Sequence, residues 1–262
     1  MAVILFLWRK DFCPQHLPLA CPPWTSLGKI LESHVRKAIF DFKLLEGEES
    51  IAVALSGGKD SLSLLFLLKA ILGRGVPLLP LHAIHISGSA SCGASVGGNY
   101  LEDICKALEV PFYSIPSRSN TPIEKLECYP CSRERRSLLF EGAKKIGVKT
   151  VAFGHHRDDA TETLLLNLFH KGEFAGNLPK VPMHDYGVTI IRPLIYVPEQ
   201  EIIEFAKLYR FARITCRCPV GARSKRMETK RLLTQIEELF PHVRKNLARA
   251  AIQYGSQKAL VK

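Results

Sequence analysis

The run SIAVALSGGKDSLSLLFLLKAILG, residues 50–73, constrains this chain more than any other stretch. After Ser50, residues 51–55 are apolar without alternation, the pattern of a strand covered on both faces. Two glycines follow, and then Leu62–Ile71 form a mostly apolar helix that Gly73 and Gly75 terminate. A strand apolar on both faces belongs inside a parallel sheet, with helices packed above and below it.

The rest of the chain repeats that alternation. Helix is expected over residues 26–45, strand over 78–86, helix over 99–110, and a short strand at FYSI. Pro116 to Pro130 carries three prolines and predicts a loop, followed by helix from Ser132 to Ile146. KTVAFG (149–154) reads as strand, Asp158–Phe169 as helix, and FHKGEFAGNLPKVPMHDYG as an irregular excursion. VTIIRPLI then predicts strand, and Pro198 starts the helix EQEIIEFAKLYRF. Residues 224–254 read as basic helical segments interrupted near Pro241. The fold class is α/β: a Rossmann-like, mostly parallel sheet with helices on both faces and a basic helical C-terminal extension. Ligands of such sheets bind beyond the carboxyl ends of the strands.

LSGGKDS (55–61) lies at such an end. Gly57 and Gly58 allow a sharp turn that exposes backbone N–H groups, with Ser56 and Ser61 on either side and Lys59 adding charge. A helix start of this kind accepts phosphate. The spacing is not that of a Walker A loop. Asp60 would repel phosphate by itself, whereas a magnesium ion shared between carboxylate and phosphate oxygens would explain it. The plainer alternative is a surface turn, which its place between a buried strand and an apolar helix disfavours.

AFGHHRDDATET (152–163) occupies the next such junction. Asp159 and Thr163 stand four residues apart on one helical face. Asp158 is expected to cap the helix and Asp159 to face the nucleotide and its magnesium. Gly154 supplies flexibility. His155 and His156 are equally readable as structural donors or as site residues, and adjacent histidines make a poor zinc pair.

Eight cysteines, Cys13, Cys21, Cys92, Cys105, Cys128, Cys131, Cys216 and Cys218, do not suggest a disulfide framework in a chain of 262 residues without a convincing export signal. Cys128-x-x-Cys131 and Cys216-x-Cys218 could hold zinc or an iron-sulfur cluster, or take part in disulfide or persulfide chemistry. Tyr129 lies between the first two and suits either base stacking or packing.

Charge separates the two ends. Residues 205–262 hold 14 Lys and Arg against 3 Asp and Glu, which accounts for the whole net charge of +11. A basic end on a neutral body suits a polyanion, nucleic acid before an acidic membrane. Arg223, Lys225, Arg226, Lys230, Arg231, Arg244, Lys245 and Arg249 are the candidate RNA contacts, the alternative for each being a solvated helix face. The N-terminal MAVILFLWRK is short of a signal, and no apolar run reaches the roughly 18–20 residues that span a bilayer. A soluble, cytoplasmic protein is expected.

SGGKDS and GHHRDDATET, with a Cys-x-x-Cys between them and RPL after them, resemble the PP-loop ATPases that modify tRNA. The likeness runs from about residue 26 to 238 and is nearest to the bacterial 2-thiocytidine synthetases, which act on position 32 of tRNA. The resemblance implies an adenine nucleotide alpha-hydrolase fold and an ATP-dependent sulfurtransferase. ATP activates a base carbonyl as an adenylate, and sulfur then displaces AMP. It implies ATP held by Ser56, Gly57, Gly58, Lys59, Asp60, Ser61, Gly154, His155, Asp159 and Thr163, with magnesium on Asp60 and Asp159. Lys59 and Arg135 would stabilise charge during adenylation. A 4Fe-4S cluster would sit on Cys128, Cys131 and Cys218, with Cys216 as the alternative third ligand. The sequence Cys216-Arg217-Cys218-Pro219 departs from the family's Cys-x-x-Cys-Gly. Implied partners are tRNA, a sulfur donor such as a cysteine desulfurase, and a second copy of the chain, with no membrane.

The expected organisation is an irregular arm over 1–25, the PP-loop catalytic domain over 26–215, and a cysteine-containing crossing with the tRNA-binding extension over 216–262. Thiolation of another base such as uridine, or an RNA-binding or iron-sulfur carrier without turnover, are the competing functions.

Overall fold

The computed structural model describes residues 25–88, 98–118, 128–209, 211 and 225–256. Cys13, Cys21, Cys92, Cys216, Cys218 and Arg223 lie outside the described residues, as do residues 1–24 of the expected arm.

Helix α1 (Ser26–Asp41) starts at Thr25, whose Oγ1 accepts the Gly28 N–H at 2.9 Å. Leu31, Val35, Ala38 and Ile39 recur at helical spacing and are buried. The apolar pattern runs on to Leu45, but the helix does not. Lys43 takes a positive φ of 48°, and the chain folds back so that Leu44 and Leu45 enter the core outside the helix.

Then come β1 (Ile51–Ala54), α2 (Lys59–Ile71), β2 (Leu81–Ser87), α3 (Gly98–Ala107) and β3 (Phe112–Pro116). After α4 (Cys128–Lys145) the chain forms β4 (Thr150–Ala152), α5 (Arg157–Lys171), β5 (Lys180–Met183) and β6 (Val188–Ile191). Helices α6 (Glu199–Leu208), α7 (Lys225–Leu239) and α8 (Val243–Tyr254) complete it.

The six strands form one sheet in the order β3-β2-β1-β4-β6-β5. All neighbours are parallel except β5, which runs antiparallel to β6 at the edge. The chain builds outward from β1 through β2 to β3, then returns to place β4 on the other flank of β1, with Ile51 opposite both Leu81 and Thr150. The order reverses between β1 and β4, so the crevice at their carboxyl ends is the ligand position of such sheets.

Alternate strand residues divide between two cores. Ile51 and Val53 face a cluster built with α1, α2, α3 and α6, and Phe205 is fully buried there. Ala52, Ile84 and Val151 face the second cluster with α4, whose Phe140 is 1% exposed. α7 and α8 lie on α5, and so bring the basic end of the chain to the helix that follows β4.

Besides the early end of α1, two segments differ from expectation. The excursion after α5 contains β5, whose Val181 pairs with Ile190 and is buried. Its Pro182 sits on an edge strand, where a missing N–H costs little. α4 begins at Cys128 rather than at Ser132, because Pro130 falls in the first turn, where no intrahelical N–H bond is required. The two cysteines thus occupy backbone positions one helical turn apart.

Candidate active site

Beyond β1 the chain turns at Gly57, whose φ of 85° favours glycine. Gly58 is the N-cap of α2 and brings no side chain to cap it. Ser56 Oγ accepts the Gly58 N–H at 3.3 Å, and Ser61 Oγ donates to the Gly58 carbonyl at 3.0 Å. Both hydroxyls thus shape the loop, while the N–H groups of the first α2 turn have no side-chain cap. That is the condition of an anion-binding helix start.

The loop after β4 packs against this one backbone to backbone. A Cβ on Gly154 would stand 2.9 Å from the Asp60 carbonyl carbon and 3.0 Å from the Ser61 nitrogen. The glycine supplies close approach, beyond the flexibility expected of it.

His156 caps α5. Its Nδ1 accepts the Asp159 N–H at 3.3 Å, and Asp159 Oδ2 accepts the His156 N–H at 3.0 Å. Asp158, the expected cap, does something else. Its Oδ2 accepts the Glu199 N–H at 2.7 Å and its Oδ1 lies 3.5 Å from Arg244, so it ties the starts of α5 and α6 to α8. Because His156 Nδ1 accepts, the ring proton is on Nε2. That nitrogen lies 3.3 Å from Asp159 Oδ2 and 3.7 Å from Asp60 Oδ1. The two carboxylates expected to share magnesium therefore converge on one imidazole edge.

Each carboxylate also meets a cation. Lys59 Nζ lies 2.8 Å from Asp60 Oδ1 and 3.3 Å from Glu199 Oε1. Burial opposes the Lys59 charge, but Asp60 and Glu199 outweigh it and raise the pKa. Arg226 Nη2 donates to Asp159 Oδ1 at 2.7 Å, and its Nε donates to Glu162 Oε2 at 2.8 Å. Burial would raise the Asp159 pKa, yet His156 and Arg226 hold it below the ordinary range. Lys230, one turn after Arg226, pairs with Glu199 at 2.5 Å. Arg226 and Lys230 were expected on the RNA surface; here they pair with the acidic side of the two strand-end loops.

His155 turns away from its neighbour. It stacks on Phe153 with ring centroids 5.5 Å apart, and Arg192 Nε donates to its Nδ1 at 3.3 Å. Burial, with Arg192 next, pushes its pKa down to about 3 and keeps the ring neutral. Burial and the nearby Arg136 lower Arg192 to about 10. Thr163, expected beside Asp159, accepts a bond from Asn177 Nδ2 at 3.3 Å.

Arg135 Nη1 is buried and has no hydrogen-bond partner among the described residues. Its charge is felt by His85, whose Nδ1 donates to the Leu55 carbonyl at 2.8 Å at the end of β1. An unpartnered guanidinium nitrogen at that edge fits an anionic ligand.

These features test the expected groups. The uncapped α2 start and the orphaned Arg135 nitrogen fit a polyphosphate. Asp60 and Asp159 fit a magnesium ion that takes its other ligands from phosphate and water. Among the described residues no cluster of three His, Cys, Asp or Glu side chains is arranged to hold a metal alone. Cys128 and Cys131 occupy backbone positions in the first turn of α4, a spacing that fits a soft, thiolate-bound group. Tyr129, between them, is 71% exposed, with Arg133 placed 5.9 Å from its ring centroid.

The remaining cations divide by burial. Lys225, Arg231, Lys245 and Arg249 are exposed. Arg244 is 9% exposed and bound to Glu237 at 2.7 Å, so it packs α8 rather than offering a phosphate contact. Glu199, Glu162 and Arg192 join the site without having been singled out as its residues, and His156, readable as structural donor or site residue, joins it as the cap that meets both carboxylates. Arg192, His156 and Glu162 stand inside the quoted motifs, whereas Glu199 lies outside them and carries no local signal.

The PP-loop domain family matches residues 28–215. A tRNA-cytidine(32) 2-sulfurtransferase of Geobacter sulfurreducens is 38% identical over 228 residues, covering 85% of this chain and 88% of that protein. The same-named protein of Geotalea uraniireducens is 35% identical over 226 residues, covering 84% of this chain and 89% of its own. Among solved structures, a U34-tRNA thiolase of Methanococcus maripaludis, determined with its 4Fe-4S cluster, superposes with a TM-score of 0.71 at 24% identity, over 86% of this chain and 78% of that one. That likeness shows a shared fold. With two strand-end loops packed at the sheet's reversal point, a matched domain over most of its length and relatives of this identity, the chain belongs to the tRNA-cytidine(32) 2-sulfurtransferase family of PP-loop proteins.

Proposed function

We propose that this protein is an ATP-dependent tRNA sulfurtransferase that replaces the C2 oxygen of a cytidine, C32, by sulfur. The observation that carries the reading is the packing of Gly154 on Asp60, which sets both strand-end loops against one site. The first α2 turn binds the phosphates, Lys59 and Arg135 face the charge that develops on them, and Asp60 with Asp159 would hold the magnesium.

ATP is needed because a base carbonyl oxygen leaves poorly. The cytidine O2 attacks the α-phosphorus, the bond to the bridging oxygen breaks, and pyrophosphate departs. Sulfur at the sulfide level then attacks C2, and the C–O bond breaks to release AMP. Lys59 and Arg135 supply fixed positive charge in a part-buried site, where it is worth more than in water. Cys128 and Cys131, with Cys218 or its neighbour Cys216, would hold the cluster. When bound, a three-cysteine cluster has one iron open to carry sulfur. Lys225, Arg231, Lys245 and Arg249 offer exposed charge to the RNA backbone, which positions without reading sequence. An unpaired anticodon-loop base reaches such a pocket more easily than a paired one.

No helix among the described residues is long and apolar enough to cross a membrane. The reading places the enzyme in the cytoplasm, as a homodimer supplied with sulfur by a cysteine desulfurase.

The test is anaerobic reconstitution with iron and sulfide, then incubation with ATP, magnesium, a sulfur source and unmodified tRNA. Nucleoside mass spectrometry is expected to show one oxygen-to-sulfur exchange on cytidine, with AMP in equal amount. Thiolated uridine would overturn the base assignment, and RNA binding without AMP would overturn the enzyme.

A further inference from the structure

Glu199 lies outside both loops, yet it holds the phosphate-loop lysine. It is the first residue of α6, and its N–H is fixed by Asp158 Oδ2 at 2.7 Å. One carboxylate oxygen stands 3.3 Å from Lys59 Nζ and the other 2.5 Å from Lys230 Nζ. The side chain is 18% exposed, compared with 31% for Lys59. Three elements from distant parts of the sequence thus meet on one carboxylate: the start of α2, the start of α6, and α7.

Lys59 has a second partner, Asp60, at 2.8 Å. In the proposed reaction that carboxylate belongs to magnesium, and the oxygen that binds the cation is lost to the lysine. Glu199 is not contested in this way. Its backbone is pinned, and Lys230 neutralises the charge that would otherwise draw Lys59 wholly onto it. A lysine side chain has many rotamers, and fixing it beforehand removes an ordering cost from ligand binding.

We propose that Glu199 is a positioning residue for the ATP site: it aims Lys59 at the phosphates, while Lys230 of the C-terminal extension shares its charge. The inference rests on the ATP-dependent reading above.

The experiment is a double-mutant cycle on the full-length protein, with Mg·ATP binding measured by calorimetry and melting temperature recorded alongside. Lys59→Gln is expected to weaken binding about tenfold or more, and Glu199→Gln about three- to tenfold. The double variant should bind no more weakly than Lys59→Gln alone, because Glu199 acts through the lysine. Glu199→Asp keeps the charge and should recover part of the loss; it also replaces Glu199→Gln in the cycle if that variant does not fold. Multiplying losses in the double variant would overturn the proposal, as would unchanged binding in Glu199→Gln. Tighter binding there would also overturn it, since Glu199 would then be restraining Lys59. The binding cycle does not depend on thiolation. A protein that bound ATP cooperatively through Glu199 but gave tRNA no sulfur would refute the function and leave this inference standing.

Discussion

Arg226, on the first helix of the basic extension, donates to Asp159 at 2.7 Å and to Glu162 at 2.8 Å. One guanidinium thereby answers two acids of α5 that are 18% and 5% exposed. The C-terminal extension is consequently part of the electrostatics around the two strand-end loops. Arg226→Gln leaves both acids without their cation and is expected to destabilise the fold by about 2 kcal/mol, between the values for surface and buried pairs. Urea unfolding at neutral pH measures it.

The two converging carboxylates make a separable prediction. Asp60→Asn and Asp159→Asn should each raise the magnesium concentration needed for ATP-dependent AMP release by about tenfold or more, since a neutral amide is a poor ligand for a hard cation. A magnesium titration at saturating ATP reads this. Equal loss at all magnesium concentrations would place the carboxylates elsewhere in the reaction.

Gly154→Ala places a methyl group 2.9 Å from the Asp60 backbone, where no side chain can swing away. The loops must separate. A stability cost of about 1–3 kcal/mol is expected, with ATP affinity falling by about tenfold or more as the first α2 turn shifts. Thermal melts and ATP titration check the two together.

The pH dependence of stability carries a sign. His155 is held neutral, its pKa pushed from 6.5 to about 3 mainly by burial and then by Arg192. The unfolded chain therefore binds a proton that the folded one refuses as pH falls below about 6.5, and stability drops by up to about 1.4 kcal/mol per pH unit from this group. Its stabilising contribution is complete above the unfolded pKa. Burial lowers His82 and His85 in the same direction. Urea midpoints between pH 7 and 5 should fall less steeply in His155→Gln than in the parent, and the difference isolates His155.

The cysteine prediction concerns iron. Cys131→Ser, on the first turn of α4, is expected to lose the reconstituted cluster's absorbance and most bound iron. Cys218→Ser and Cys216→Ser, measured in the same way, decide which is the third ligand. Retained iron in Cys131→Ser would remove the pair from the cluster.

Strand, glycine turn and apolar helix over residues 50–73 are local features, and the amino-acid order alone yields the α/β class and the first loop. Periodicity located most helices within a turn of their ends. It overran α1, because Leu44 and Leu45 are core residues reached by a backbone reversal at Lys43. It missed β5, whose strand identity comes from pairing with β6. The motifs likewise drew attention to Lys59, Asp60 and Asp159, since a glycine turn and a capped helix start are built from neighbours in sequence.

Which charges answer one another was not written locally. Lys59 to Glu199 spans 140 residues, and Asp159 to Arg226 spans 67. A basic helix looks the same in sequence whether its cations face RNA, as the exposed Lys225 and Arg231 could, or close an acidic site, as Arg226 and Lys230 do. Composition determined that the C-terminal end would seek negative charge. Only the packing of α7 and α8 on α5 decided that part of that negative charge is the protein's own.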